Sequence, residues 1–155
     1  LAGLLRPLLQ DVNVVSAPAL LKERGVPLTE STRETSPIYD SLIRIKVKTG
    51  GKWRTLAGTV VAGAPKIAEV KQMQLEAHFH PVMLFVNNSD KPGFIGALGT
   101  MLAEAGVNIA TFHLGRESAG EDAIALVGVD QVVSDDLLAR IKALPQVRYA
   151  KVLRF

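Results

Sequence analysis

Apolar residues at Leu1, Leu4, Leu5, Leu8 and Leu9 recur at helical spacing, so the chain opens on a helix running to Gln10. Asp11-Val12-Asn13-Val14-Val15 breaks that rhythm. Ser16-Ala17-Pro18 then reads as an N-cap followed by proline in the first turn, which predicts a short helix over 17–24 stopped by Gly25. Residues 26–34 are expected to form an irregular strand, and Thr35-Ser36-Pro37 a turn. The period then drops to two. Leu42, Ile43, Ile45 and Val47 lie among Arg44, Lys46 and Lys48, which gives one apolar and one basic strand face. Thr49-Gly50-Gly51-Lys52 predicts a hairpin turn, with 53–61 as the returning strand. Gly63-Ala64-Pro65 is a break, and 66–71 a further short strand.

From Pro81 onward the pattern is cleaner. Residues 81–88 form a strand with Val82, Leu84 and Val86 on one face and Met83 and Phe85 on the other. Two apolar faces predict a central strand or one at a subunit contact. Residues 92–105 read as a helix whose buried stripe is Phe94, Ile95, Leu98, Met101, Leu102 and Ala105, with Gly106 as its C-cap. Strands follow at 108–114 and 122–129, separated by a loop containing Gly120. Ser134 caps a second helix to residue 143, with Asp135 and Asp136 at the positive end of its dipole. Pro145 ends that helix, and 147–155 is the last strand. The order βαββαβ is the ferredoxin-like split pattern. The expected fold class is α+β, a small mixed α/β domain at 1–79 followed by a ferredoxin-like domain at 80–155.

Composition narrows the function more than the fold. Cysteine is absent from all 155 residues, which excludes disulfides and thiolate metal sites and fits a cytoplasmic setting. No apolar run approaches the ~20 residues that span a bilayer, so no membrane partner is expected. Residues 1–71 carry eleven Lys and Arg against six Asp and Glu, a balance of +5, whereas 72–155 carry seven against nine, or −2. The basic residues are scattered and aromatics are only 5% of the chain, too few for a stacking platform, which argues against nucleic acid. There is no G-x-S-x-G elbow. Gly93, Gly96 and Gly99 fall inside the expected helix, so they read as close-packing positions and not as a dinucleotide turn. His78 and His80 would share a face if they lay on a strand, but two histidines without a neighbouring carboxylate make a poor metal site. His113, in an apolar strand, reads as structural or interfacial. With no reaction centre in view, and Leu1 in place of Met, we expect a regulatory fragment without catalytic residues whose N-terminal part lies elsewhere.

The chemistry concentrates at Asn88-Ser89-Asp90-Lys91-Pro92-Gly93. The first N–H groups of a helix lack internal partners and carry partial positive charge, so a carboxylate is favoured there. Pro92 is expected to fix the helix start, and Gly93 leaves the backbone open to a ligand. Asp90 could pair with an ammonium, while Asn88 and Asn108 supply amide donors and acceptors. Such a set suits a small zwitterion. The residues equally suit plain capping by Ser89 or Asp90 and a turn at Asn108, and by themselves leave both readings open.

The run from Pro81 to Phe155 resembles an ACT domain, the amino-acid-sensing module of amino-acid metabolism. The wider chain resembles the C-terminal regulatory region of D-3-phosphoglycerate dehydrogenase, through Asp11-Val12-Asn13-Val14-Val15-Ser16-Ala17-Pro18, Lys22-Glu23-Arg24-Gly25, Asp90-Lys91-Pro92-Gly93 and Ala105-Gly106-Val107-Asn108-Ile109. The resemblance implies an intervening domain followed by an ACT domain. It further implies L-serine, or a similar small amino acid, as effector at a contact between ACT domains of a dimer or tetramer. Asn88 and Asp90 would hold it from one subunit, and Asn108 from the next. The absent parent portion would bind NAD, carry the catalytic groups and act in L-serine biosynthesis. Lys66 matches one basic residue of a phosphorylated-anion site in the intervening domain, whereas Met73, Gln74 and His78 depart from arginine or histidine there, so only part of that site is expected. Two rivals stand beside this reading, a regulatory region of an L-serine dehydratase and a stand-alone amino-acid-binding module.

Overall fold

The structure, a computed structural model, describes residues 1–32 and 38–155. The turn expected at Thr35-Ser36-Pro37 and the last residues of the strand expected over 26–34 lie outside the described residues. The chain divides into two compact units, Leu1–Thr35 and Ser36–Phe155.

The first unit holds helices α1 (Ala2–Leu5) and α2 (Ser16–Glu23), packed through Ala2, Leu5, Val12, Ala17 and Leu21. Helix α1 is shorter than the leucine spacing predicts. Pro7 has no N–H to give the carbonyl of Gly3, so the ladder is interrupted; the N–H groups of Leu8 and Leu9 share Leu5 O at 2.9 Å, and Leu8 is left exposed. The cap of α2 also differs from expectation. Asn13 Oδ1 accepts from the N–H groups of Val15 and Ser16 at 2.9 and 2.8 Å, and Ser16 Oγ accepts from Asn13 N–H at 3.0 Å. The reciprocal pair therefore sits one turn earlier, with Ser16 inside the helix as its closing partner. Residues 26–32 form no strand. Pro27 cannot donate to a ladder.

In the second unit, β1 (Ile43–Thr49), β2 (Lys52–Val61), β3 (Ala64–Val70) and β4 (Met73–His78) form an antiparallel sheet in sequence order. Each connection is a two-residue loop with positive φ at both positions: Gly50-Gly51, Ala62-Gly63 and Lys71-Gln72. This is the turn geometry that matches strand twist. Strand β4 was not foreseen because Lys71-Gln72 carries no turn signature, although Met73, Leu75 and Ala77 alternate with exposed residues.

A second sheet follows, of β5 (Val82–Ser89), β6 (Ile109–Arg116), β7 (Asp122–Val129) and β8 (Val147–Arg154), in the order β6-β7-β5-β8 and antiparallel throughout. Strand β5 is central, as its two apolar faces require. Helices α3 (Phe94–Glu104) and α4 (Asp135–Lys142) cover one face, where Leu84, Val86, Leu98, Val127 and Ile141 are fully buried. Ser134 Oγ accepts from Leu137 N–H at 3.2 Å and caps α4 as expected. On the opposite face Met83, Ile124 and Leu126 meet Ile67, Met73, Leu75 and Ala77 of the first sheet. Gly115 makes this approach possible: a Cβ there would stand 2.6 Å from Gln74 O and 2.7 Å from Leu75 Cδ2. Residues 79 and 80 lie in the link between β4 and β5.

Helix α3 corrects three expectations. Pro92 and Gly93 form a turn ahead of the helix, and Gly93 adopts φ +93°, the left-handed value that follows proline in a type II turn. Pro92 therefore does not set the first helical position. Ile95 is 53% exposed and Ala105 is exposed, so the buried stripe is Phe94, Leu98 and Leu102, with Met101 half-buried. An added Cβ at Gly96 or Gly99 would meet nothing within 4 Å, so these glycines serve no close packing among the described residues.

Candidate functional site

Strand β5 delivers Asn88 to the end of the sheet where α3 begins. Leu84 and Val86 point into the helix-side core, and Asn88, two residues on, continues that face with 1% of its surface exposed. Its Nδ2 donates to Ser89 O at 3.0 Å, while its Oδ1 is buried without a partner among the described residues. The α4–β8 turn reaches the same place. Gln146 O accepts from Ser89 N–H at 2.8 Å, and Gln146 Oε1 is likewise buried and unpartnered. Gln146 Nε2 lies 4.0 Å from the position a Cβ on Gly93 would take. Sequence reasoning missed Gln146, since a lone glutamine after Pro145 carries no motif.

Asp90 is engaged within the chain. Its Oδ2 accepts from Arg116 Nη1 at 3.1 Å and from Gly120 N–H at 3.3 Å. The bond from Arg116, then that from Gly120, holds its carboxyl below the usual aspartate range. Beside it Arg148 pairs with Asp122 and donates to Ser89 Oγ at 3.3 Å. Pro92 and Gly93 are exposed at this end of the sheet.

Asn108 is not brought to this cluster. It follows the far end of α3, where its Nδ2 donates to Asp130 Oδ2 at 2.6 Å and its N–H to Gln131 Oε1 at 2.6 Å. Helix α3 has 11 residues, so its two ends stand about 16 Å apart. Within one chain Asp90 and Asn108 cannot contact one small molecule.

Lys66 pairs with His78 across β3 and β4, and the His78 ring lies 6.1 Å from that of His113 on β6. Burial, then the charges of His78 and Lys66, push the His113 imidazole below its ordinary proton affinity, and its Nε2 is buried without a partner among the described residues. Met73 is a core residue at 5% exposure, and Gln74 presents its backbone to Gly115. His80 lies beyond the end of β4, with its Nε2 3.7 Å from Asp130, so His78 and His80 share no strand. Among the described residues no group of three or more His, Cys, Asp or Glu is placed to hold a metal ion. No helix there is long and apolar enough to cross a membrane.

Comparison with known proteins assigns both halves. Residues 1–71 match the model of the D-3-phosphoglycerate dehydrogenase intervening domain, and residues 82–146 that of the ACT domain. The chain is 29% identical over 154 residues to D-3-phosphoglycerate dehydrogenase of Methanocaldococcus jannaschii, a match covering 99% of this chain and 29% of that protein. It is 27% identical over 157 residues to the Bacillus subtilis enzyme, covering 99% of this chain and 30% of the relative. Against that of Mycobacterium tuberculosis it is 33% identical over 147 residues, covering 92% and 28%. The chain thus spans less than a third of the length of these relatives. Residues 1–71 belong to the D-3-phosphoglycerate dehydrogenase intervening-domain family and residues 82–146 to the ACT-domain family, and together they have the make-up of a regulatory region of that dehydrogenase.

Proposed function

We propose that this chain is the regulatory part of a cytoplasmic, NAD-dependent D-3-phosphoglycerate dehydrogenase of L-serine biosynthesis, and that two copies bind L-serine or a similar small amino acid between their ACT domains. The observation that carries this reading is the separation of Asp90 and Asn108 at opposite ends of β6. Strand β6 is an edge, with one row of backbone groups unpaired in the sheet. Two-fold antiparallel pairing of β6 with its copy sets the start of one strand beside the end of the other. That places Asn108 of one subunit near Arg116 and Asp90 of the next, at the open start of α3. Pairing through the other edge, β8, would not do so.

A ligand held by both subunits favours one relative orientation of the two, and that differential affinity is the coupling free energy passed to the rest of the enzyme, typically ~1–3 kcal/mol. Gly93 turns ahead of α3, and Gly96 and Gly99 lie along it, a placement unlike the glycine-rich turn that cradles a dinucleotide. Dinucleotide binding and the oxidoreductase chemistry belong to the rest of the parent. Lys66, beside His78, is what this reading leaves of an anion site in the first sheet. The intervening-domain match over 1–71 favours the dehydrogenase over a dehydratase or a stand-alone ACT module.

The test is calorimetric titration of the chain with L-serine, alongside its mass in solution. The reading expects a dimer or larger assembly, and binding weakened about tenfold or more by Asp90→Ala and by Asn108→Ala. Equal binding in both variants, or a monomer that binds as well, overturns it.

A further inference from the structure

We propose that Gln146 is a specificity-determining residue of the amino-acid site at the start of α3, its side-chain carbonyl acting with that of Asn88 to take the effector's ammonium group; this rests on the reading given above.

Buried acceptors are nearly always paired, so two unpaired carbonyl oxygens on adjoining strand ends mark where a donor arrives. Asn88 Oδ1 and Gln146 Oε1 are such a pair among the described residues. They belong to adjoining strand ends: Asn88 pairs with Val147, and the Gln146 backbone accepts from Ser89. The Gln146 side-chain amide reaches the turn that opens α3, its Nε2 4.0 Å from the position a Cβ on Gly93 would take. Neither amide carries charge, and an ammonium supplies three donors, more than enough for both oxygens.

Asp90, the carboxylate that charge alone would nominate for the ammonium, already accepts from Arg116 and Gly120. An ammonium taken by the two amides leaves that ion pair standing. The effector's carboxylate then faces the unpaired N–H groups of an 11-residue helix, across a glycine that offers no side chain. The arrangement selects α-amino acids over hydroxy acids of the same size, since a hydroxyl brings one donor where two acceptors wait.

The experiment is competitive titration of the whole chain with L-serine and with 3-hydroxypropionate, which lacks the ammonium. Gln146→Leu should weaken L-serine about tenfold and leave 3-hydroxypropionate within about twofold, because only the ammonium loses its acceptor. Gln146→Glu, which keeps an acceptor oxygen, should restore L-serine binding. If wild-type protein binds L-serine and Gln146→Leu binds it equally well, or loses both ligands in equal measure, the role given to Gln146 is wrong while the serine reading stands. If wild-type protein binds no amino acid, both fall.

Discussion

The two four-stranded sheets of Ser36–Phe155 are built alike and buried differently. The second is covered by α3 and α4 on one face and meets the first sheet on the other, so β7 is buried from Ala123 to Val129. The first sheet buries its apolar face only through β3 and β4. On the same face of β1 and β2, Ile43, Val47, Leu56 and Val60 remain 40% exposed or more. A sheet gains stability from what covers it, and hairpins alone are marginal. The difference therefore locates rigidity in the ACT sheet and leaves the intervening sheet dependent on the contact between them.

The largest test of that contrast lies in the cores. Leu98→Ala, at a fully buried position on α3, should cost about 3–4 kcal/mol in urea unfolding, and Leu56→Ala, 46% exposed on β2, under about 1 kcal/mol. Equal losses would remove the distinction. The contact itself is tested by Gly115→Val. Its new Cβ meets a backbone oxygen that cannot swing aside, so a loss of about 2 kcal/mol is expected. Amide exchange should speed up in β1–β4 while β5 and β7 stay protected, and uniform acceleration would show that the sheets unfold as one.

The smallest effect is electrostatic. His113 lies on the face shared by the two sheets, beside His78 and Lys66, and its folded proton affinity is lowered by burial and by those charges. A depressed folded value means that the unfolded chain takes up the proton first as pH falls. The stability tied to a neutral His113 is therefore complete above about pH 6.5 and is lost as pH drops through the folded value. Melting temperature should fall between about pH 7.5 and about pH 5.5, and His113→Phe should flatten that slope. An unchanged slope in the variant would assign the acid response elsewhere.

Most of the ACT half could be read from the sequence because its signals are local and agree. The alternation in β5 predicts a central strand, and Ser134 with Asp135 and Asp136 predicts the start of α4. The intervening half was harder, since the hairpin at Lys71-Gln72 lacks glycine and the Asn13–Ser16 cap is shared between two residues three apart. The exposure of Ile95 escaped helical periodicity because the buried stripe follows the i, i+4, i+8 row of Phe94, Leu98 and Leu102, and Ile95 lies to one side of it.

By itself, the order of apolar and polar residues determined most of the segments that become strands and helices, since period and capping act over a few neighbours; β4 and the strandless stretch 26–32 are the exceptions. Which atoms stand together was decided only by the tertiary structure. Antiparallel pairing brings Gln146 to Asn88 and Arg116 to Asp90 across gaps of dozens of residues, and the length of α3 carries Asn108 away from them. Hydrogen bonds and packing satisfy such partners in space, and spacing along the chain holds no record of that choice.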